Sequence, residues 1–173
     1  MNITPLSPAF LTFPPQRSAM RKKILLVLFG AFIVAQFIQP DRSAPPLDPA
    51  QDMLTVMHAP PDIQTLVRDA CYDCHSHATA YPWYAYVTPV NFMVQNHVEE
   101  GREELNFSQW GNGGEEGDEC AELVQKNEMP PGYYRFMHAH GRLSDAQRTQ
   151  LVSWFTANLG GEGTAEEEER EEH

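Results

Sequence analysis

Two cysteines and a histidine form the segment Cys71-Tyr72-Asp73-Cys74-His75, a C-x-x-C-H pattern. This spacing is the attachment signature of a c-type haem. Two thiols three positions apart lie on one helical turn, where each can form a thioether with a haem vinyl group. The imidazole that follows is then held against one face of the iron. We therefore predict Cys71 and Cys74 as the thioether pair of one covalent haem c, and His75 as the proximal iron ligand.

A methionine further along the chain is the candidate for the distal iron ligand. Met129 precedes Pro130-Pro131, and two consecutive prolines make a loop extended and stiff. A thioether held by a rigid loop suits a stable, weak ligand, and Met/His ligation raises the reduction potential. His97 is the main rival, and Met129 is then an ordinary loop residue. An open position and the other histidines complete the alternatives: His58, His77, His138 and His140.

A basic cluster and an apolar run stand near the N-terminus. Arg-Lys-Lys at residues 21–23 precedes the mainly apolar residues 24–38. This pattern predicts a secretory signal or an uncleaved signal anchor, with one pass through the inner membrane and the rest of the chain in the periplasm. The run is shorter than the roughly 20 residues that a spanning helix prefers, and no good small-x-small cleavage site follows it. Both forms therefore stay open.

Composition divides the chain into five segments. Four prolines between residues 40 and 49 predict an extended linker, and seven glutamates among the last 12 residues predict a disordered tail. A start at Met20 is an alternative to Met1. The segments are a cytoplasmic or overcalled N-terminus (1–23), a signal anchor or transmembrane helix (24–39), a proline-rich linker (40–60), a haem-binding domain (61–160) and an acidic tail (161–173).

Apolar periodicity predicts an all-α, cytochrome c-like domain around the haem. Between residues 63 and 74, apolar residues and both cysteines recur on one helical face. Further helices are predicted over Val90–Leu105 and Glu115–Asn127. A last helix begins at Ser144, where Gln147 completes a capping box. The third cysteine, Cys120, remains a buried or unpaired thiol, an intermolecular disulfide partner or a metal ligand.

Charge narrows the classes of partner. The chain carries 24 acidic and 12 basic side chains, which argues against nucleic acid and favours a partner with a basic patch. We predict an electron carrier rather than an enzyme, serving a redox protein with a basic docking surface or a membrane respiratory complex. Two alternatives are a haem-based enzyme subunit or gas or redox sensor with a displaceable distal ligand, and a zinc or dithiol redox protein.

Longer motifs around these residues resemble a bacterial haem-binding domain family of exported c-type cytochromes. The motifs are C-x-D-C-H-S, T-x-Y-P-W-Y, H-V-x-E-G-R and L-N-F-S-x-W between residues 70 and 110, and N-E-M-P-P from Asn127. The resemblance covers about residues 50 to 158. It implies a monohaem domain with His75 as the proximal and Met129 as the distal ligand.

The same resemblance suggests that residues 81–84 and 106–110 lie beside the haem. Aromatic side chains there exclude water and tune the potential, although core packing is an equal expectation for them. Arg102 is a candidate partner for a haem propionate, or a solvated helix residue.

Overall fold

The computed structural model describes residues 16–112, 117 and 119–159, and this part of the chain contains helices and no β-strand. The prediction of an all-α fold is therefore confirmed. The chain divides into two units at Ile38 and Gln39. Residues 1–15 and the predicted acidic tail lie outside the described residues.

The first unit carries helix α1 (Gln16–Ala35), which contains most of the predicted anchor. None of the helices in the described ranges is long and apolar enough to cross a membrane.

The second unit is built from short and medium helices joined by turns. Two 3-10 segments, Trp83–Tyr86 and Phe107–Asn112, lie between them. The α-helices are α2 (Met53–Val56), α3 (Pro61–Ala70), α4 (Tyr72–His75), α5 (Val90–Glu104), α6 (Cys120–Gln125), α7 (Gly132–Met137) and α8 (Asp145–Leu159).

Helix α3 delivers the C-x-x-C-H segment to the core. Pro61 occupies its first helical position, where proline costs no hydrogen bond and its fixed φ favours the helix. The predicted apolar face is the buried one: Ile63, Leu66, Val67 and Ala70. Because α4 follows after Cys71, burial of this face fixes the position of the cysteine segment.

Helix α8 closes the core from the C-terminal side, packing against α3 and α6. Leu151 and Phe155 are its fully buried side chains. The capping box is present, because the Gln147 backbone N–H donates to the Ser144 hydroxyl and the Ser144 N–H donates to the Gln147 side chain.

The core begins earlier in the chain than the proline-rich composition of residues 40–60 predicts. Met53 and Leu54 of α2 are fully buried, and Ala59 is buried beside them. Asp52 caps α2 by accepting from the Thr55 N–H, and it also accepts a buried hydrogen bond of 3.0 Å from the Tyr72 hydroxyl. The prediction of a linker is therefore wrong for residues 52–59, because a capped apolar helix interrupts it.

Helix α6 is shorter than the predicted helix over residues 115–127. It begins at Cys120 and ends at Gln125. Asn127 has a φ of 61°, the left-handed conformation that ends many helices. Residues 115, 116 and 118 lie outside the described residues.

Helix α5 packs unusually closely against α4. A Cβ atom added to Gly101 would lie 2.9 Å from the Cys74 carbonyl oxygen and 3.2 Å from the Cys74 Cβ. Real Cβ atoms essentially never approach another heavy atom within 3.0 Å. Glycine at this position therefore sets the spacing between α5 and the cysteine segment.

We expect Gly101→Ala to reduce the free energy of unfolding by about 1–3 kcal/mol, the usual cost of overpacking a tight contact. The matched control is Gly132→Ala, because a Cβ there meets only the end of the Arg135 side chain at 3.8 Å. Urea denaturation of both variants measures the effect. Equal stability of Gly101→Ala and the wild type would contradict this account of the contact.

Candidate functional site

A cavity of about 250 Å³ lies beside α4, bounded by α6, α8 and the loop before α7. Its lining includes both cysteines of the C-x-x-C-H segment, together with His75 and Met129. The structure thus brings together the four residues that the sequence predicts for the site. Apolar side chains form much of the remaining wall: Leu105, Phe107, Leu123, Val124 and Phe155.

The two thiols are buried and uncharged at neutral pH. Burial raises the pKa of Cys71 far above its usual value, and nearby Cys120 and Cys74 raise it further. Burial, reinforced by the charge of Asp73, raises the pKa of Cys74 to about 11. Uncharged thiols suit an apolar cavity, where an unpaired charge would be costly.

The His75 imidazole is oriented by a backbone carbonyl. Its Nδ1 lies 3.1 Å from the Leu105 oxygen. Because a carbonyl only accepts, Nδ1 carries the hydrogen, and the lone pair of Nε2 is left for a metal. Burial lowers the pKa of His75, while the carbonyls of Leu105 and Gly101 act in the opposite direction. The neutral imidazole required for ligation is therefore favoured.

Arg102 holds the segment that follows His75. Its Nε donates to the Ser76 carbonyl at 2.8 Å, and its Nη2 donates to the Thr79 hydroxyl at 2.9 Å. The fully buried Ser76 hydroxyl donates to the Tyr72 carbonyl at 2.7 Å. Arg102 is thus engaged with protein groups rather than merely solvated, and these bonds fix the chain on both sides of the imidazole.

Met129 reaches the cavity from a loop tied to the end of α6. Its backbone N–H donates to the Leu123 carbonyl at 3.1 Å, and the Glu128 N–H donates to the same oxygen at 3.0 Å. Pro130 and Pro131 also line the cavity. Two hydrogen bonds and two prolines therefore restrict the loop that carries the thioether.

The rival histidines lie elsewhere. His97 lines a second cavity and stacks on Tyr133 with a centroid distance of 4.8 Å. The His77 ring lies 3.1 Å from the Asn106 side-chain amide. His138 and His140 lie beside the Tyr134 ring. Among the histidines in the described part of the chain, only His75 lines the cavity that contains Met129.

The remaining cysteine and the aromatic segments have distinct positions. Cys120 is buried at the start of α6 and lines the same cavity as the motif cysteines. Phe107 and Trp110 are buried in the hydrophobic core, in agreement with the packing interpretation. Trp83, in contrast, is 76% exposed and does not belong to that core.

Sequence reasoning missed Tyr134 as part of the site. Tyr134 lines both cavities, and its hydroxyl donates to the Asp73 carboxylate at 2.8 Å. It also missed the roles of Gly101 and of the Leu105 carbonyl. Gly101 stands in a recognisable motif, but no side-chain pattern could identify a backbone carbonyl as the partner of His75.

The chemistry of the lining fits a haem. Two thiols, an imidazole with an available Nε2 and a thioether face an apolar space, the donor set of a covalently held haem with two axial ligands. Within the described ranges, no group of three or more His, Cys, Asp or Glu side chains is arranged to hold a metal ion by itself.

Comparison with known proteins agrees with this chemistry. The sequence model of the haem-binding domain matches residues 30–157, which is well over half of the chain. No curated protein and no solved structure matches the chain. A match of this extent, over the residues that build the cavity, shows that the chain belongs to the haem-binding domain family.

Proposed function

We propose that this haem-binding protein is a membrane-anchored, periplasmic, monohaem c-type cytochrome that carries single electrons. In this proposal Cys71 and Cys74 hold the haem as thioethers, and His75 and Met129 occupy its axial positions. The haem supplies a one-electron redox couple when bound. The protein supplies attachment, ligand orientation and an apolar environment that excludes water.

One observation carries the proposal: both thiols, His75 and Met129 line a single cavity. The hydrogen bond from His75 Nδ1 to the Leu105 carbonyl adds support, because such partners fix the tautomer and orientation of a ligating imidazole. The backbone bonds that restrain Met129 favour a permanent sixth ligand. Two filled axial positions suit electron transfer, because neither leaves room for a substrate on the iron.

The proposed location is supported by the N-terminal sequence. A basic cluster at residues 21–23 followed by the apolar run 24–38 is typical of a signal or signal anchor. Positive residues stay on the cytoplasmic side, which leaves the haem-binding unit in the periplasm. The tether would keep the haem close to membrane-bound redox partners.

A haem-based enzyme subunit or a gas or redox sensor is the alternative function. One observation favours it: Met129 is held through the backbone of its loop, so its side chain can leave the iron without disturbing a helix. Binding of CO to the reduced wild-type protein would support this alternative over a carrier with two permanent ligands.

We expect Met129→Ala to open the distal position, lower the reduction potential and allow the reduced haem to bind CO. The reason is that a thioether ligand stabilises the reduced iron and occupies the site where CO would bind. Visible spectra with a redox titration and CO addition measure all three effects. The thioether–iron absorption of the oxidised protein should disappear in the same variant.

Two controls separate Met129 from other candidates. His97→Ala removes the rival ligand, and Met137→Ala removes a thioether that lines only the second of the two cavities. Both should retain the wild-type spectrum. A spectrum that changes in His97→Ala and not in Met129→Ala would mean that the distal ligand is His97.

Charge supports a redox partner with a basic docking surface. Between residues 24 and 161 the sequence contains 17 acidic and seven basic side chains. A field of this sign accelerates encounters with a cationic protein surface. A membrane respiratory complex with such a surface is an equally suitable partner.

We expect the rate of electron transfer to a basic redox partner to fall as salt is added. Between ionic strengths of about 0.01 M and 0.15 M the Debye length shortens from about 30 Å to about 8 Å, so the attraction is screened. Stopped-flow measurements on the full chain test this. A variant without residues 162–173 should keep most of the salt dependence, and a rate that stays flat or rises with salt would contradict the proposal.

A further inference from the structure

A second cavity, of about 370 Å³, adjoins the first through two shared residues. Cys74 and Tyr134 line both spaces. The volume falls in the range of roughly 300–1,000 Å³ that is usual for small-molecule sites. A haem attached at Cys74 would therefore have this space beside it, and electrons could pass between the two over a short distance.

The lining of the second cavity suits a flat aromatic molecule. Three tyrosines besides Tyr134 line it, and the His97 ring stacks on one of them, Tyr133. Met93 and Met137 add thioethers, which make favourable contacts with aromatic rings. No lysine or arginine occurs among its lining residues in the described part of the chain, so the cavity offers nothing to bind a phosphate or carboxylate.

A hydrogen-bonded pair gives the cavity a polar end. His138 Nδ1 lies 3.2 Å from the Tyr134 carbonyl, and because a carbonyl only accepts, Nδ1 carries the hydrogen. His138 Nε2 is then an acceptor, and the Tyr84 hydroxyl, 3.0 Å away, donates to it. The lone pairs of the Tyr84 oxygen remain available to accept a hydrogen bond from a ligand hydroxyl.

The cavity is open to solvent. Met93, Tyr133 and Met137, which line it, are each more than half exposed. A small molecule can therefore enter without displacing a helix.

We propose that the second cavity binds a hydroxylated aromatic molecule of the hydroquinone class, which donates electrons to the haem attached at Cys74. This inference rests on the proposed electron-carrier function and names the electron donor. The ring lies among the tyrosines and methionines, and its hydroxyl donates to Tyr84. Tyr84 is then the residue that touches the substrate, and His138 is a positioning residue that acts through Tyr84.

The electron transfer balances in two equal steps. In each step a hydroquinone O–H bond breaks, its proton passes to the Tyr84 oxygen, and Tyr84 passes its own proton to His138 Nε2. One electron passes to the ferric haem, which becomes ferrous. The redox partner reoxidises the haem between the steps, and His138 releases its proton to solvent. Two steps convert the hydroquinone into a quinone and release two protons and two electrons.

The test is the rate of haem reduction in the full-length, haem-loaded ferric protein under anaerobic conditions, with 1,4-naphthohydroquinone as the probe. We expect the rate to saturate with probe concentration. Tyr84→Phe should lower the limiting rate by at least about tenfold, the small end of a proton-transfer effect. Val94→Trp, which fills the cavity, should raise the concentration needed for half-saturation.

Two controls make the outcomes distinct. Tyr86→Phe removes the hydroxyl of an exposed tyrosine that does not line the cavity, and it should reduce like the wild type. Dithionite, a small inorganic reductant, should reduce the wild type and all the variants at the same rate.

An unchanged probe rate in Tyr84→Phe and Val94→Trp, with normal dithionite reduction, would overturn the hydroquinone site and leave the electron carrier intact. So would saturable probe binding to the haem-free protein that is lost when haem is attached, because the second cavity would then belong to the haem. Failure of dithionite to reduce any attached haem would instead refute the proposed function.

Discussion

Direct contact between the backbones of α5 and α4 at Gly101 is the constraint on which the site depends. Because no Cβ separates Gly101 from the Cys74 carbonyl, the end of α5 lies against the cysteine segment. The next residue, Arg102, can then reach the Ser76 carbonyl and the Thr79 hydroxyl. One turn after Gly101, the Leu105 carbonyl meets His75 Nδ1. A single close approach thus positions the chain after the motif and orients its imidazole.

Burial gives the site its chemical state. Desolvation keeps the thiols protonated and the His75 imidazole neutral, so no charged group is buried without a partner. Tyr134 connects this site to the second cavity, because its hydroxyl donates to Asp73 between the two motif cysteines. An apolar haem site and a neighbouring aromatic cavity therefore share one wall. That wall contains Cys74, the residue that would carry the haem.

Sequence reasoning succeeded where local spacing determines the structure. The C-x-x-C-H spacing predicted which side chains share a cavity, and the apolar periodicity of residues 63–70 predicted the buried face of α3. The Ser144–Gln147 capping box was predicted for the same reason, because its partners are three residues apart. Met129 was predicted from its two following prolines, and its place in the cavity agrees.

Features that depend on distant contacts were not predicted. The proline content of residues 40–60 concealed a core helix, whose burial requires the facing segment Phe107–Asn112. The Leu105 carbonyl has no side-chain signature. The exposure of Trp83 could not be read from its aromatic character, because an aromatic residue can lie in a core or at a surface. These features follow from how the helices approach one another.

Mass spectrometry of tryptic peptides from the denatured protein, made in a host that attaches haem in its periplasm, tests the central claim most directly. Cleavage after Arg68, Arg102 and Lys126 separates residues 69–102, which contain Cys71 and Cys74, from residues 103–126, which contain Cys120. We predict the added mass of one haem on peptide 69–102 and none on peptide 103–126. An unmodified peptide 69–102, or haem attached through Cys120, would contradict the assignment.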